Sequence, residues 1–541
     1  MRFARNTSIL WGAAAGLLSA LFWVLALPPF TFAEAAYIAF VPLLLWLYTR
    51  PRAIECLIVG FLTGWASWFV ILVWLRHVTW GGTFALSAVL GLIFVCWLVA
   101  ARWALPRLED RTFMVRALGF AGLAGGWVLL EWLRGWVLWG GFAWAPLALS
   151  QWERPVTLQV AAWTGAFGVS FLLVFFNCCV AQTLRHRIAT KAPRMWYAWF
   201  SPDLYAALGL LAATVVLFFR VLPASNQAEP LFTAGVVQPY IPAQLKWDEA
   251  RARKNLAVLE RQTRFVGELE NDVILWPETA TPWPIIGEPA MRREIEAWSD
   301  EIGKPILMGN LAFDHNTERW TNGAFLVEPG SGLSEDDYSK RNLVPFGEYV
   351  PAPFGFLQTV IPSMGNMEAG RRPDLIQLRI EEAGSIAVGP LICYEDVFPR
   401  LARSTARAGA DVLFVTTNNA WYGEEGGAEQ HAAHSVLRAV ENRRPVMRCG
   451  NGGWSGWIDA YGSVRSVLRD EKGSVFFRGG GNFTVSRFPY WRDRQSFYTR
   501  RGDWFAGASA GLAVLALLVL VKPVAVTRHC SGKTVNPTIR R

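Results

Sequence analysis

Cys393, one of seven cysteines in this chain of 541 residues, is placed where it could act as a nucleophile. It follows an apolar, β-branched run that begins at Ser385, and Tyr394, Glu395 and Asp396 come directly after it. Such a run is typical of a buried strand. Because a free thiol with a pKa of about 8.5 is mostly protonated at neutral pH, a catalytic cysteine needs a base or a cation from elsewhere in the fold. The alternative interpretation is a buried, unreactive cysteine.

Two other stretches offer such partners. The strand-like Val273–Trp276 runs through a proline into Glu278, and desolvation at that strand end could raise the pKa of its carboxyl toward the range of a general base. Lys340 stands with Glu348 in the proline- and aromatic-rich stretch from Tyr338 to Pro351. An ammonium beside a thiol lowers the thiol's pKa and can stabilise an oxyanion. Taken alone, Glu278 could equally be a loop acid, and Lys340 an ordinary surface lysine.

The three stretches belong to a segment, from about Glu229 to Arg494, that alternates strand and helix patterns. Strands are predicted at Leu231–Gln238, Asp272–Trp276, Pro305–Gly309, Ala324–Glu328, Ser385–Ile392 and Val412–Thr416. Helices are predicted at Asp248–Glu268, Ala290–Ile302, Pro399–Ala408 and Glu429–Arg443. This alternation predicts a layered α/β domain, with the candidate residues at strand ends.

The composition indicates that this domain is part of a membrane protein. Hydrophobic residues make up 52% of the chain and charged residues 18%, and there are 28 tryptophans, which is unlike an ordinary soluble protein. The excess of 52 basic over 43 acidic residues could suggest nucleic-acid binding, but most basic residues lie between apolar runs. We therefore expect no nucleic-acid partner. The cysteines form no CxxC pair, so neither a disulfide framework nor a zinc site is predicted.

Eight apolar runs predict about eight membrane-spanning helices. They lie at about 8–27, 35–49, 54–75, 84–105, 117–138, 158–183, 204–222 and 504–521. Most arginines and lysines between them fit one side, which places both termini in the cytoplasm and the α/β segment on the extracytoplasmic face. Arg50 and Arg52 fit strict alternation only if the short run at 35–49 is re-entrant or miscounted.

Three motifs together resemble the Glu-Lys-Cys triad of the nitrilase superfamily. In chain order they are WPET with Glu278, SKRNLVPFGEYVP with Lys340, and GPLICYED with Cys393. The membrane setting and the LVPFGEYVP string narrow the resemblance to the apolipoprotein N-acyltransferase family, which carries a nitrilase-like αββα sandwich between its last two spans. The resemblance covers nearly the whole chain. It implies seven transmembrane helices in residues 1–226, the catalytic domain in 227–498, and the last helix with a basic cytoplasmic tail in 499–541.

The resemblance implies a multi-pass enzyme of the bacterial inner membrane with its catalytic domain in the periplasm. Glu278 would take the thiol proton, Cys393 would attack a phospholipid ester and form a thioester, and Lys340 would hold the oxyanion. The acyl chain would then pass to the N-terminal amine of a diacylglyceryl-cysteine on a lipoprotein. No metal or organic cofactor is implied. Supporting or substrate-binding roles are implied for Glu348, Tyr394, Glu395 and Trp247.

Two alternatives use the same stretches differently. A membrane-tethered amidase or nitrilase would pass the acyl group to water with the same triad. A transporter or sensor would use the α/β domain only to bind a ligand. His431 and His434, three residues apart, could imitate a metal pair, but the sequence offers no third ligand with support of its own.

Three segments depart from the pattern of the family. Asn322 lies in WTNG, which replaces an aromatic-Asn-Ser/Thr sequence. The stretch Asn418–Gly423, NNAWYG, resembles the family's N-D-A-W-F-G turn but has Asn419 where an aspartate is common. Arg448–Trp454, which includes Cys449, replaces a T-N-N/T-G-like segment. We expect none of these departures to touch the triad, and we expect them to affect substrate preference.

Overall fold

The computed structural model describes residues 2–190, 201–225, 227–246, 248–356, 367–381 and 383–521. Trp247, for which a supporting role is implied, lies outside these residues, as does the predicted basic tail after residue 521. The helices of seven or more residues are α1 (Arg2–Ala26), α2 (Val41–Leu47), α3 (Ala53–Ile71), α4 (Trp80–Leu108), α5 (Phe113–Arg134), α6 (Ala166–Thr190), α7 (Pro202–Ser225), α8 (Ala252–Gly267), α9 (Pro289–Ile302), α10 (Pro399–Arg407), α11 (Gly427–Asn442) and α12 (Trp504–Val521).

Within the described residues, seven helices are long and apolar enough to cross a membrane: α1, α3, α4, α5, α6, α7 and α12. The predicted span at 35–49 is interrupted, because Ala33–Tyr37 forms a 3-10 helix and α2 has only seven residues. At 1.5 Å per residue, α2 is about 10 Å long, against a hydrocarbon core of about 30 Å. Seven of the about eight predicted spans are therefore long helices, and the run at 35–49 is a shorter apolar segment.

The interrupted segment still returns the chain along α1. The Leu43 N–H donates to Ser19 Oγ at 3.3 Å, and Trp46 Nε1 donates to the main-chain oxygen of Ser8 at 3.0 Å. The segment therefore runs antiparallel to α1. As a result, Arg50 and Arg52 come back to the end of the bundle at which α1 begins.

Charged residues predicted to lie on one side do share one end of the helices. Glu109, after α4, pairs with Arg50 at 3.1 Å and with Arg185 of α6 at 3.0 Å. Arg116 of α5 pairs with Asp203 of α7 at 2.8 Å. The opposite end of the bundle, near the end of α3 and the loop after α5, contacts the α/β domain.

Among the residues that the structure describes, twelve strands of the α/β domain form two sheets of six. They are β1 (Glu229–Gln238), β2 (Val273–Trp276), β3 (Ile306–Asp314), β4 (Arg319–Glu328), β5 (Gly332–Ser339), β6 (Ile376–Ile380), β7 (Gly384–Ile392), β8 (Val412–Thr417), β9 (Val446–Gly450), β10 (Gly456–Ile458), β11 (Val464–Val467) and β12 (Gly479–Arg487). The first sheet has the order β12-β1-β2-β3-β4-β5, with β1, β2 and β3 parallel. The second has the order β11-β10-β9-β8-β7-β6, with β7, β8 and β9 parallel.

The two sheets pack face to face between two helical layers. Leu275 of the first sheet and Phe414 of the second share one apolar cluster. Helices α8 and α9 cover the outer face of the first sheet, with Ile295 in the core they form. Helices α10 and α11 cover the second sheet, and Val436 of α11 belongs to the same cluster as Trp144 and the membrane helices. The predicted αββα sandwich is confirmed, and one of its helical layers is shared with the membrane bundle.

Candidate active site

Cys393 stands at a sharp turn between β7 and the 3-10 helix Cys393–Val397. Its φ of 51° lies in the left-handed region, which is uncommon for residues other than glycine. Ile392 pairs with Thr416 in the parallel neighbour β8, so the next residue of β8 meets the cysteine. Thr417 Oγ1 lies 3.2 Å from the Cys393 sulfur. The turn therefore holds a buried thiol at the carboxyl ends of two adjacent strands.

Glu278 and Lys340 come from the carboxyl ends of strands in the facing sheet. Glu278 follows β2 and Lys340 follows β5. Lys340 Nζ lies 3.2 Å from Glu278 Oε1 and 2.7 Å from Glu348 Oε1, and the lysine is only 1% exposed. An ammonium has three hydrogens. Because these two carboxylates occupy two of them, one is left for an oxyanion.

The charges in the site keep the proton on the sulfur. Burial alone would raise the pKa of Glu278, but the Lys340 ammonium and the Asn322 amide outweigh it, so this pKa lies below its usual value. The expectation of a raised pKa for Glu278 is therefore wrong. Burial and the Glu278 charge raise the pKa of Cys393 to about 12, although Lys340 acts in the opposite direction. The resting site thus contains a neutral thiol beside an ionised carboxylate.

Lys340 remains protonated in this site. Burial alone would lower the pKa of Lys340, but the two neighbouring carboxylates outweigh it and raise this pKa. The ammonium therefore balances the charges of Glu278 and Glu348 over the working pH range. Glu348 is itself held in place, because its Oε2 accepts a hydrogen bond from the Val344 N–H at 2.8 Å.

Asn322, which we expected to lie away from the triad, contacts it directly. Its Nδ2 donates to Glu278 Oε1 at 2.9 Å and to Glu348 Oε1 at 3.1 Å. Its main-chain oxygen accepts from the Lys340 N–H at 2.8 Å. The side chain contacts both carboxylates and favours the ionised form of Glu278, so the expectation that this departure does not touch the triad is wrong.

Asn419 reaches the cysteine through two hydrogen-bonded neighbours. Its Oδ1 lies 3.1 Å from Thr417 Oγ1 and 2.9 Å from His431 Nδ1. His431 Nε2 lies 2.7 Å from Asp396 Oδ1 and 3.0 Å from the main-chain oxygen of Cys393. This buried network supports the turn that carries the thiol. The second departure is therefore also connected to the triad.

His431 and His434 do not share a site. His434 Nε2 accepts from the Ala145 N–H at 3.3 Å, whereas His431 bonds to Asp396. Arg448, from the third departing segment, pairs with the same Asp396 at 2.6 Å. No group of three or more histidine, cysteine, aspartate and glutamate residues that could hold a metal ion occurs among the residues that the structure describes.

Tyr394 and Glu395 lie next to the triad without contacting its three reactive groups. Glu395 accepts hydrogen bonds from the Ile392 and Arg341 N–H groups, each at 2.7 Å, and so ties the loop that follows Lys340 to the cysteine turn. The Tyr394 hydroxyl donates to the main-chain oxygen of Gly141, after α5, at 3.3 Å. Glu395 thus holds the site together from within the domain, and Tyr394 contacts the membrane half.

Two family models match the two halves of the chain. Residues 19–179 match the apolipoprotein N-acyltransferase N-terminal domain, and residues 233–483 match carbon-nitrogen hydrolase. A protein of Geobacter metallireducens named apolipoprotein N-acyltransferase is 31% identical, over 93% of this chain and 94% of that protein. One of Rhizobium rhizogenes with the same name is 31% identical, over 90% and 93%. The chain belongs to the apolipoprotein N-acyltransferase family.

Solved structures resemble this chain only distantly. An amidase from Nesterenkonia sp. is 17% identical, with a TM-score of 0.36, over 50% of this chain and 96% of that chain. The predicted resemblance of the chain to the N-acyltransferase family, with its nitrilase-like domain, is confirmed by the family models and the relatives, which cover both halves.

Lys246 is a further residue at the site of this N-acyltransferase family member, and sequence reasoning assigned it no role. Its Nζ donates to the main-chain oxygen of Glu278 at 2.8 Å. Burial lowers the pKa of Lys246 to about 8, although the Glu278 charge raises it. Thr279, the residue after Glu278, has a φ of 48°. The Lys246 ammonium therefore holds Glu278 at a point where the backbone is strained. The only feature of the sequence that could have pointed to Lys246 is its place in the stretch LKWD, next to Trp247.

The loop between α5 and α6 packs against the stretch that carries Lys340 and Glu348. The Tyr349 hydroxyl donates to the main-chain oxygen of Trp139 at 2.8 Å. Arg400 of α10 donates to Asn342 Oδ1 at 2.9 Å and to the main-chain oxygen of Gly140 at 3.1 Å. The triad therefore lies on the side of the α/β domain that faces the membrane helices.

Proposed function

We propose that this enzyme transfers a fatty acyl chain from a membrane phospholipid to the N-terminal amine of a diacylglyceryl-cysteine on a lipoprotein. The observation that carries the proposal is one buried site that combines an ionised Glu278, the neutral Cys393 thiol and a Lys340 ammonium with one hydrogen to spare. The proposal is supported by relatives named apolipoprotein N-acyltransferase that align over most of the chain. Glu278, Lys340 and Cys393 are the proposed catalytic residues.

In the first half of the reaction, the Cys393 sulfur attacks the ester carbonyl carbon of the phospholipid. Its proton moves to Glu278 as the carbon–sulfur bond forms, because transfer to a carboxylate of low pKa before attack is strongly uphill. Lys340 donates its remaining hydrogen to the carbonyl oxygen as charge develops there. The ester carbon–oxygen bond then breaks, the departing lysophospholipid oxygen takes the proton from Glu278, and a thioester remains on Cys393.

In the second half, the amine of the diacylglyceryl-cysteine attacks the thioester carbonyl carbon. Lys340 again stabilises the oxyanion, and Glu278 accepts the amine proton. The carbon–sulfur bond breaks, the amide forms, and the proton passes from Glu278 to the sulfur. Each half of the cycle ends with the same charges on the three residues, as a ping-pong transfer requires.

We also propose supporting roles for four residues. Glu348 holds Lys340, since their side chains lie 2.7 Å apart. Glu395 fixes the loop beside the cysteine turn, and Tyr394 joins this turn to the membrane half. For Trp247 we propose lipid binding, which rests on the resemblance alone.

The membrane half provides a reason for the choice of substrates. Both partners carry acyl chains, and extraction of a chain into water would cost about 0.8 kcal/mol per CH₂ group. A site on the face of the domain toward the helices can meet these chains in the outer leaflet. We propose that this face is periplasmic. The ion-paired Arg50, Arg116 and Arg185 lie at the opposite end of the bundle, and basic residues are enriched on the cytoplasmic side of membrane proteins.

The proposed division of the chain follows from this arrangement. Residues 1–226 form the first transmembrane part, 227–498 the catalytic domain and 499–541 the last helix with its tail. Both termini then lie in the cytoplasm, because the interrupted segment along α1 returns the chain in the way a full span would. Cysteine labelling of single introduced thiols at each loop, in intact cells, tests this topology.

The decisive experiment offers the purified enzyme a phospholipid together with a diacylglyceryl peptide. We expect N-acylated peptide and lysophospholipid in equal amounts, with a thioester on Cys393 detectable by mass spectrometry when the peptide is omitted. Cys393→Ala should form neither thioester nor product. Release of fatty acid without acylation of the peptide would reject the transferase in favour of the membrane-tethered hydrolase.

A further inference from the structure

One hydroxyl group approaches the Cys393 sulfur and has no part in the mechanism above. Thr417 Oγ1 lies 3.2 Å from this sulfur. Thr417 ends β8, and its neighbour Thr416 pairs with Ile392 of β7. Because the hydroxyl comes from the strand next to β7, the pairing that places the thiol places this neighbour too.

The single hydrogen of the Thr417 hydroxyl has two possible acceptors. One is the Cys393 sulfur and the other is Asn419 Oδ1, at 3.1 Å, which His431 Nδ1 also approaches at 2.9 Å. A hydrogen bond to an ionised acceptor is roughly twice as strong as one to a neutral acceptor. The hydrogen therefore turns to the sulfur when the sulfur carries charge. An aspartate at position 419 would compete for this hydrogen, whereas the neutral amide of Asn419 competes weakly.

We propose that Thr417 is a further catalytic residue, whose hydroxyl group donates a hydrogen bond to the Cys393 sulfur whenever this sulfur carries negative charge. This occurs twice in a cycle: when the thiol proton moves to Glu278 as the sulfur attacks, and when the carbon–sulfur bond of the thioester breaks and the sulfur leaves with the electron pair. No proton is transferred from this hydroxyl. The catalytic part of this inference rests on the proposed function.

The thiol's own reactivity tests the inference without any acyl substrate. The rate at which iodoacetamide alkylates Cys393 follows the thiolate fraction, and mass spectrometry measures it on the full-length enzyme in detergent. We expect Thr417→Val to slow this rate at pH 8 to 9 by roughly tenfold. Thr417→Ser restores the hydroxyl and should restore the rate.

The controls separate a lost hydrogen bond from a damaged fold. Thr263→Val removes a buried hydroxyl that donates only to the main-chain oxygen of Leu259, far from the triad, and should leave the alkylation rate unchanged. Other ionisable groups facing the sulfur stay in place in every variant: Glu278, Lys340 and Lys246. A Thr417→Val variant that is alkylated as fast as the wild type would overturn the inference. If the wild type is alkylated faster than Thr417→Val but acylates no peptide, the result would count against the proposed function alone.

Discussion

At the scale of single residues, Glu278 is both the base and one of the two negative charges next to Lys340. One substitution tests these roles without a change in the shape of the side chain. Glu278→Gln keeps the shape of the side chain but removes both the base and one of the two charges next to Lys340. We expect thioester formation in a single turnover to slow by at least about 10²-fold, the usual contribution of a general base. Glu301→Gln, at an exposed carboxylate paired with Arg264, is the matched control and should react at the normal rate.

Asn322 sets the pH at which this base becomes active. Its amide donates to Glu278 and so favours the ionised form; without that bond, the pKa of the carboxyl rises. Because only the ionised form can accept the thiol proton, Asn322→Ala should move the acidic limb of the kcat/KM profile to higher pH. Initial rates measured from pH 4 to 8 check this expectation. An acidic limb at the wild-type pH would contradict the role given to Asn322.

The sequence predicts the triad and Glu348, but not the contacts that Asn322 and Thr417 make with the triad, for a physical reason. Glu278, Lys340 and Cys393 stand in recognisable strings, whereas the contacts of Asn322 depend on how β4 pairs with β5. Likewise, Thr417 meets the sulfur only because β8 pairs in parallel with β7. Pairing between distant strands leaves no local pattern, so those partners become visible only in the fold.

At the scale of elements, the close approach of the two sheets requires a glycine in β3. A Cβ atom on Gly309 would lie 2.5 Å from Thr416 Oγ1 and 2.8 Å from the Cα of Glu278. Gly309→Ala should therefore displace Glu278 from the cysteine and reduce acyl transfer by roughly 10²-fold, as expected for a misplacement of about 1 Å. Steady-state kinetics measure the loss. Gly209→Ala, in α7 with open space around its Cα, should have no such effect.

Strands with a strong apolar pattern are found from the sequence, and the others are not. The six predicted strands and four predicted helices are all present, with ends that differ by a few residues. The strand β5 is not predicted because Gly332–Ser339 is rich in acidic residues. The strand β12 is not predicted because it begins with three glycines. In β9 the buried Arg448 interrupts the apolar run. Sheet pairing and ion pairs, rather than local propensity, stabilise these strands.

At the scale of the whole molecule, one side chain joins the two halves. Gln430 of α11 accepts from the indole N–H groups of Trp74, at 3.0 Å, and Trp144, at 2.8 Å. It also donates to the main-chain oxygens of Pro28 and Ile71, each at 3.0 Å. Four residues from three segments of the membrane half thus converge on the residue before His431, which supports the cysteine turn.

The loss of this junction should be measurable as stability. Gln430→Leu leaves two buried indole N–H groups and two carbonyl groups without their partner, and each such group costs about 1–3 kcal/mol. We expect a clear fall in Tm and faster proteolysis between the halves. Gln377→Leu, at an exposed edge-strand position, is the control and should leave Tm nearly unchanged. Equal Tm values for wild type and Gln430→Leu would rule out this junction as a source of stability.

The helical layer that α10 and α11 share with the membrane bundle has a consequence for biosynthesis. Helices α1 to α7 precede the whole sandwich in the chain, so during synthesis they enter the bilayer before its second sheet exists. The ends of these helices that contact the α/β domain then provide an apolar surface. Helices α10 and α11, which are synthesised later, can pack on this surface. Helix α12, which packs on α5, is made last and closes the assembly. The bundle is thus a template for the maturation of its own catalytic domain, as well as an anchor for it.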